Sequence, residues 1–522
     1  MSMIFYSWIF TLILASDDLP KSTSGQPIKQ EPAKPDVLLL VNEVCKNYFD
    51  KAKPKTILDA PGQKYLLEWK AAGEKGDANC MVLYGLCLQT GIATEKNENE
   101  AFIWYKKAAE LKNAFGQFLV SECYINGRGV FPNIKTGTDY LTRAAEQQLP
   151  IAESRLGLTF YHGTGNTKNL VKAVEWFQKA ADHLDAEGQF CLAGCYVIGA
   201  GIKVDQTQSV KYYRLSAAQG YREGAYHLAR SLMAGTGCKK DEAEGTKWMR
   251  TAAELKYAPA QSMLGHAYMR GVGVSVDHAE AAKWFHQAAQ QGDVYGMTCY
   301  GVSLLRGVGV AKNESEAVEW FRKGAEKNDP SCLGFLGRCY LEGIGIKKNE
   351  KEAVKWFTKA ARKNDAYGQC MLGLSYQGGL GVEKDDKKAF DWFLKACKQN
   401  HPYSLGLVGR CYLDGTGVEQ DESKGVTYLI QSAKLEDAFG QANLGLCYME
   451  GEGVDLDEKE GFKWYKKSAE QNYTWAQERL GWCYEEGTGV EPNPQEAIKW
   501  YKKAAAAGNE TAKDALARMN VK

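Results

Sequence analysis

Trp104, Tyr140, Trp176, Tyr212, Trp248, Trp284, Trp320, Trp356, Trp392, Tyr428, Trp464 and Trp500 follow one another at intervals of 36 residues, with no insertion or deletion. A chain written in a fixed period of this length folds as stacked copies of one supersecondary unit, each covering the apolar flank of its neighbour. A Gly-x-Gly pair keeps the same frame: Gly127 and Gly129, Gly163 and Gly165, and onward to Gly487 and Gly489, with Gly91 and Ala93 as a degenerate first copy.

The stretch Ala258 to Asp293 shows why this period makes two helices. Gln261, Leu264, Gly265 and Tyr268 fall at i, i+3, i+4 and i+7, the stripe of a helix that buries one face. This helix A stops at Gly271-Val272-Gly273, where glycine takes the left-handed conformation that closes a helix. Every unit then carries Asp or Asn at one position, from Asn97 and Asn133 through Asp277 to Asn493, immediately before a second apolar stripe. These residues are expected as N-caps, each contributing about 0.5–2 kcal/mol, and Glu280, Glu316, Glu352 and Glu496 add the acid of a capping box. Helix B follows, with Ala281, Trp284, Phe285 and Ala288 again on one face. Small Ala260, Gly265, Ala288 and Ala289 allow close helix approach, and Tyr268 and Trp284 fill the space between.

The pattern running from Ala258 to Ala289, with Leu264-Gly265, Tyr268, the Gly-x-Gly-Val turn, Asp277 and Trp284-Phe285, resembles the Sel-one-like repeat (SLR), a relative of the tetratricopeptide repeat. The resemblance covers about residues 63–522. It implies an all-α fold, a right-handed α-α superhelix (α-solenoid) of about twelve helix-turn-helix repeats with terminal capping helices. It also implies binding of other proteins, in roles such as ER-associated degradation, signalling and bacterial pathogenesis.

On this reading residues 78–509 hold twelve repeats, 37–77 N-terminal capping helices with a partial repeat, and 510–522 a C-terminal capping helix. Within the N-terminal part, Val37 to Phe49 is expected as one helix and Gln63 to Gly76, with Trp69, as an isolated helix B. Residues 17–36, rich in Ser, Pro, Lys and Asp, have a disordered linker composition. Residues 1–16 are a candidate signal peptide: Ile4 to Ala15 is apolar and Ala15-Ser16 is small, but no Lys or Arg precedes them. The competing reading is a mis-assigned start or an uncleaved hydrophobic tail. A cleaved signal places the protein in the secretory pathway (ER lumen, secreted or periplasmic), slightly favoured over the cytoplasm. Three glycosylation sequons begin at Asn313, Asn472 and Asn509. Asn313 is an expected N-cap, which leaves Asn472 or Asn509 as the better acceptor.

Charge and chemistry narrow the function classes. With 65 basic and 64 acidic residues the net charge is +1, so no global field draws the chain to nucleic acid or an anionic membrane. No apolar run beyond residue 16 reaches the length of a membrane span. Seven cysteines (Cys87, Cys123, Cys195, Cys339, Cys411, Cys447 and Cys483) share one repeat position and are expected as buried thiols. The resemblance bears on Cys397 too: in the cysteine-rich bacterial branch of the family its counterpart pairs with a cysteine where this chain has Leu405, which argues against a disulfide-stapled member. No HExxH, CxxC, GxSxG, Ser-x-x-Lys or Walker A motif is present, and the Gly-x-Gly pairs follow no strand, so no cofactor and no metal is expected. Lys-Lys pairs such as Lys106-Lys107 and Lys502-Lys503 suit the negative pole of a helix end.

What remains is a binding surface. In stacked hairpins the second, fifth and ninth positions of helix A point toward the concave face. The second position holds Phe115, Tyr295, Tyr367, Tyr403, Phe439 and Trp475, and the ninth adds Arg338, Arg410 and Trp482. One reading makes these a row of anchors for an extended peptide or a partner helix. The other makes the rings extra core between successive helices A. The expected function is a non-enzymatic scaffold or adaptor whose partners are other proteins or extended peptides. The alternative is a secreted or periplasmic enzyme or effector acting on cell-wall chemistry.

Overall fold

A computed structural model describes residues 36–48 and 53–519. The apolar segment Ile4–Ala15, and all of the stretch 17–36 except its last residue, lie outside them. The described residues form 27 helices and no strand. The chain divides into two compact units, one ending at Lys168 and one beginning at Asn169.

The first unit begins with Val37–Lys46, capped by the Asp36 carboxylate, which accepts from the amides of Leu38 and Leu39. It packs on Lys53–Glu74 and Ala78–Thr90. Lys53–Glu74 starts well before Gln63 and carries Pro61 in its interior. Pro61 stands one period before the cap Asn97, so no capping side chain interrupts the helix there. Two hairpins follow, Ala78–Thr90 with Glu98–Glu110 and Ala114–Asn126 with Ile134–Glu146, and then Pro150–His162. The second unit opens with Leu170–Asp182 and continues through nine hairpins, from Ala186–Ile198 and Gln206–Ala218 to Thr474–Glu486 and Pro494–Ala506. Glu510–Arg518 covers its last apolar face, with Ala512 and Ala515 buried beside Tyr501.

The acid or amide before helix B is a true cap in all twelve repeats: each accepts a backbone N–H of the first turn. Helix A has its own cap column, which the sequence reading did not identify. Asp77, Asn113, Asp185, Asp293, Asp329, Asp365, His401, Asp437 and Asn509 cap their helices, whereas Leu149, Tyr221, Tyr257 and Tyr473 do not. Asn509 therefore carries the same capping duty as Asn313.

The two turn glycines have different physical reasons. Gly271 closes helix A in the left-handed region at φ 71°, its N–H donating to the Ala267 carbonyl. Gly273 is also left-handed, at φ 65°, but a Cβ there would overlap the Glu242 carbonyl oxygen in the first turn of the preceding helix B. The second glycine is thus where one repeat rests on the backbone of the one before. Ala93 occupies that place in the first repeat, and its partner position, one period before Glu98, is Gly62.

Inside most hairpins a large ring of helix B fills the space above a helix A glycine. A Cβ on Gly265 would come within 2.7 Å of Phe285, and Gly301 with Phe321, Gly337 with Phe357 and Gly373 with Phe393 repeat the contact. The periodic Trp of helix B bears a Lys three residues on, whose ammonium lies over the ring. Lys395 sits 3.6 Å from the Trp392 centroid, and Lys107, Lys179, Lys323, Lys359, Lys467 and Lys503 repeat the arrangement at 3.9–4.5 Å. The second member of the Lys-Lys pairs therefore shields an aromatic face as well as sitting at a helix end, worth about 0.5–1 kcal/mol per repeat.

Candidate protein-docking face on the first helices

The aromatic residues at the second helix A position lie over the fifth position of the preceding repeat, which is small where the ring is well seated. A Cβ on Gly334 would meet the Tyr367 ring at 2.8 Å, and one on Gly406 would meet Phe439 at 2.7 Å. Tyr403 packs in one cluster with Cys370, and Trp475 in one with Ala442. Neighbouring rings then join. Tyr367 stacks on Phe335 at 5.7 Å between centroids, and Tyr403 meets Phe439 edge-on at 5.1 Å. Trp475 meets Tyr465 edge-on at 5.9 Å and receives the Arg479 guanidinium 5.4 Å from its centre. In the first unit Phe115 is 4% exposed, stacked on Phe118 with Tyr48 against its edge. Tyr367, Tyr403, Phe439 and Trp475 are half-buried, so each ring both wedges adjacent helices A apart and leaves an edge at the surface.

Tyr295 differs. It is 44% exposed, the position beneath it is Ser262, and that hydroxyl turns away to donate to Asp293 at 2.5 Å. At the ninth position Arg338 pairs with Glu342 at 2.9 Å, and Arg410 pairs with Asp414 at 2.5 Å with Glu452 3.9 Å away. These guanidiniums are already partly neutralised by their own helices. Trp482 packs into the C-terminal cluster with Tyr501 and Ala512. Burial pushes the hydroxyls of Tyr295, Tyr367 and Tyr403 up to about 12, which keeps them neutral.

A second polar column, absent from the sequence reading as a functional pattern, fixes the geometry of this face. The fourth helix A residue is Gln in six repeats, and in five of them its Oε1 accepts from a Gln at the end of its own helix B. The pairs are Gln117 with Gln147, Gln189 with Gln219, Gln261 with Gln291, Gln369 with Gln399 and Gln441 with Gln471, at 2.6–2.9 Å. In four of the five the Nε2 of the same buried amide reaches a carbonyl of the preceding helix B: Ala109, Ala181, Ala253 or Ala433. One side chain so ties three helices. The signal that could have found it is internal to the chain: wherever the residue ending helix B is Gln, the fourth residue of helix A is Gln as well.

All fifteen cysteines carry free thiols. Those in the periodic column are buried, and desolvation pushes them up to about 11 or 12. Among the described residues no group of three or more His, Cys, Asp or Glu side chains is placed to hold a metal ion, and no helix is long and apolar enough to cross a membrane.

Comparison with known proteins agrees with this geometry. The Sel1 repeat family model matches residues 78–113, 114–149, 150–183, 186–221, 222–257, 258–293, 296–329, 330–365, 366–401, 402–437, 438–473 and 476–509. The crystal structure of c5321, a protective antigen present in uropathogenic Escherichia coli strains that displays an SLR fold, is 28% identical, with a TM-score of 0.65 over 87% of this chain and 97% of that one. A Sel1 repeat protein from Oxalobacter formigenes is 30% identical over 59% of this chain and 90% of its own, with a TM-score of 0.40. No curated protein sequence matches the chain. With twelve matched repeats in one register, the chain belongs to the Sel1 repeat family, whose proteins are generally scaffolds for protein interaction.

Proposed function

We propose that this protein is a non-enzymatic adaptor that holds a partner protein, as an extended peptide or a helix, on the face formed by its helices A. The observation that carries the reading is the recurrence of rings and guanidiniums at the second and ninth helix A positions, most of them half-exposed, with the Tyr367 and Phe439 helices also held in place by the glutamine column. Rigid aromatic and arginine side chains bind at low entropic cost, which suits a surface meant for capture. The anchors are Tyr295, Arg338, Tyr367, Tyr403, Arg410, Phe439 and Trp475 of the second unit, with Trp482 supporting from within; Phe115 serves the packing of the first unit. ER-associated degradation and signalling are the settings that the family resemblance implies.

The cell-wall enzyme alternative gains nothing from the serine–histidine contact at His401. His401 Nδ1 lies 2.8 Å from Ser404 Oγ, but Ser404 is fully buried and the imidazole is engaged as a helix cap.

The test is capture of partners from the source cell by the full chain and by a variant carrying Tyr403→Ala, Phe439→Ala and Trp475→Ala. The expected result is loss of the captured partner with helical circular dichroism retained. Undiminished capture by the folded variant moves docking off this face, and turnover of a substrate by the purified chain overturns the non-enzymatic reading.

A further inference from the structure

Helices Ala258–Arg270 and Val294–Arg306 contain no Asp or Glu, and neither do the turns that follow them, Gly271 to Val276 and Gly307 to Lys312. The two helices pack side by side. Arg270 and Arg306 end them at equivalent positions, both exposed, and neither forms an ion pair among the described residues. Later repeats differ at that position, which holds Glu342, Asp414, Glu450 and Glu486. Tyr295, the anchor ring left 44% exposed, stands near the N-terminal end of the second helix, three turns before Arg306. Arg270 is close enough to act on the charge state of both Tyr295 and His266, which burial keeps neutral. The charge of Asp293 also reaches Tyr295, but its carboxylate is already held by the Ser262 hydroxyl and the Gly296 N–H.

Two unpaired guanidiniums about one helix spacing apart, roughly 10 Å, end an acid-free pair of helices, and the exposed Tyr295 ring lies within the electrostatic reach of Arg270. An arginine fork matches a carboxylate, and about three residues of extended chain span that gap. We infer that the helix A face of residues 258–329 is the primary docking site of the adaptor, and that its occupant is an extended acidic peptide segment whose carboxylates engage Arg270 and Arg306 while an apolar side chain covers Tyr295. This deepens the adaptor reading and rests on it, and it moves the strongest contact N-terminal of the Tyr367–Trp475 row. There the rings are partly spent on packing and the arginines on Glu342 and Asp414.

The experiment is selection of a displayed random peptide library, roughly twelve residues long to cross two or three repeats, on the full chain. The expected result is enrichment of peptides rich in Asp and Glu. They should bind at least about tenfold more weakly to an Arg270→Glu/Arg306→Glu variant and should weaken as salt rises. Binding of the same peptides should hardly change in a Lys459→Glu control on the exposed side of helix Glu458–Glu470. Peptides without acidic bias, or acidic peptides that bind the double variant equally well, overturn the inference. If those peptides are lost instead in the Tyr403→Ala/Phe439→Ala/Trp475→Ala variant, the adaptor reading stands without it. No enrichment at all sinks both. A labelled oligothymidylate that binds in an Arg270- and Arg306-dependent way, with no acidic peptide enriched, makes the patch a nucleic-acid site and also overturns the inference.

Discussion

Gln291 Nε2 donates to Gln261 Oε1 at 2.6 Å across its hairpin, while Gln261 Nε2 donates to the Ala253 carbonyl at 3.1 Å in the repeat before. The same chain also shows the apolar solution, since Leu405 and Leu435 take the two glutamine positions one repeat away from Gln441 and Gln471. A buried amide left without its partner costs more than a matched apolar pair. Gln471→Leu alone, which strands the buried Gln441 Oε1, should therefore lower protection of hairpin 438–473 by about 1–2 kcal/mol, and adding Gln441→Leu should recover part of it. Hydrogen exchange of that hairpin reads the local free energy. Additive losses in the double variant would show that the pair is not coupled.

Gly307 and Gly309 are both left-handed, at φ 66° and 72°, so conformation alone predicts equal penalties for alanine. Their surroundings differ. A Cβ on Gly307 meets only Lys312, its Cβ at 3.3 Å and its backbone nitrogen at an ordinary 3.6 Å, whereas one on Gly309 overlaps the His278 backbone carbonyl. Gly307→Ala should cost about 1–2 kcal/mol, the left-handed penalty. Gly309→Ala should cost about 1–3 kcal/mol more, because two repeats must move apart. Thermal melts of the two variants at equal concentration decide the point, and equal shifts would falsify the backbone-contact explanation.

The helix B caps and the hairpin itself are legible in one repeat, because a cap or a stripe is a local relation among residues a few positions apart. The contacts that place the docking face are relations between repeats. Tyr367 over Gly334, and Gly309 on His278, pair positions about 31–33 residues apart that no helical period marks. The helix A caps were hidden for another reason: Leu149, Tyr221, Tyr257 and Tyr473 break the column, and His401 disguises one member. The different exposure of Tyr295 and Tyr367 depends on what lies beneath each ring, Ser262 or Gly334, and spacing alone cannot show which seat accepts it.

The thiol column should be chemically silent in the folded protein. Burial holds Cys339, Cys411, Cys447 and Cys483 at about 11 or 12, so almost none of their thiolate exists at neutral pH, and the fold shields the sulfur as well. Cys238 is only half-buried, its Sγ near the Ser231 and Thr236 carbonyls on a turn. Iodoacetamide at about pH 8 should label Cys238 well before the column, whose labelling should await unfolding in urea. Peptide mass spectrometry gives the order, and early modification of Cys411 or Cys447 would mean that the hairpins open far more readily than this packing allows.

His401 makes stability depend on pH in a defined direction. It stands in a cap column between Asp365 and Asp437, and its Nδ1 accepts from the Ser404 amide at 3.3 Å, which requires the neutral ring. Burial holds the imidazole below its ordinary value of 6.5, although Asp365 and Asp437 both pull it upward. The unfolded chain thus binds the proton more readily than the folded one, so unfolding free energy rises with pH through this window. The contribution is full above about 6.5 and is lost as pH falls toward the lower folded value. Asp365 acts in the opposite sense but lower on the scale: desolvation raises its carboxyl above 3.8, so its cost appears as pH rises through that range. Between about pH 5 and 7 His401 outweighs Asp365, and His227 and His266, also lowered by burial, act in the same sense. His401→Asn keeps a capping oxygen while removing the titration, so its melting temperature should vary less over that interval than that of the parent chain. An unchanged slope would assign the pH dependence to groups other than this cap.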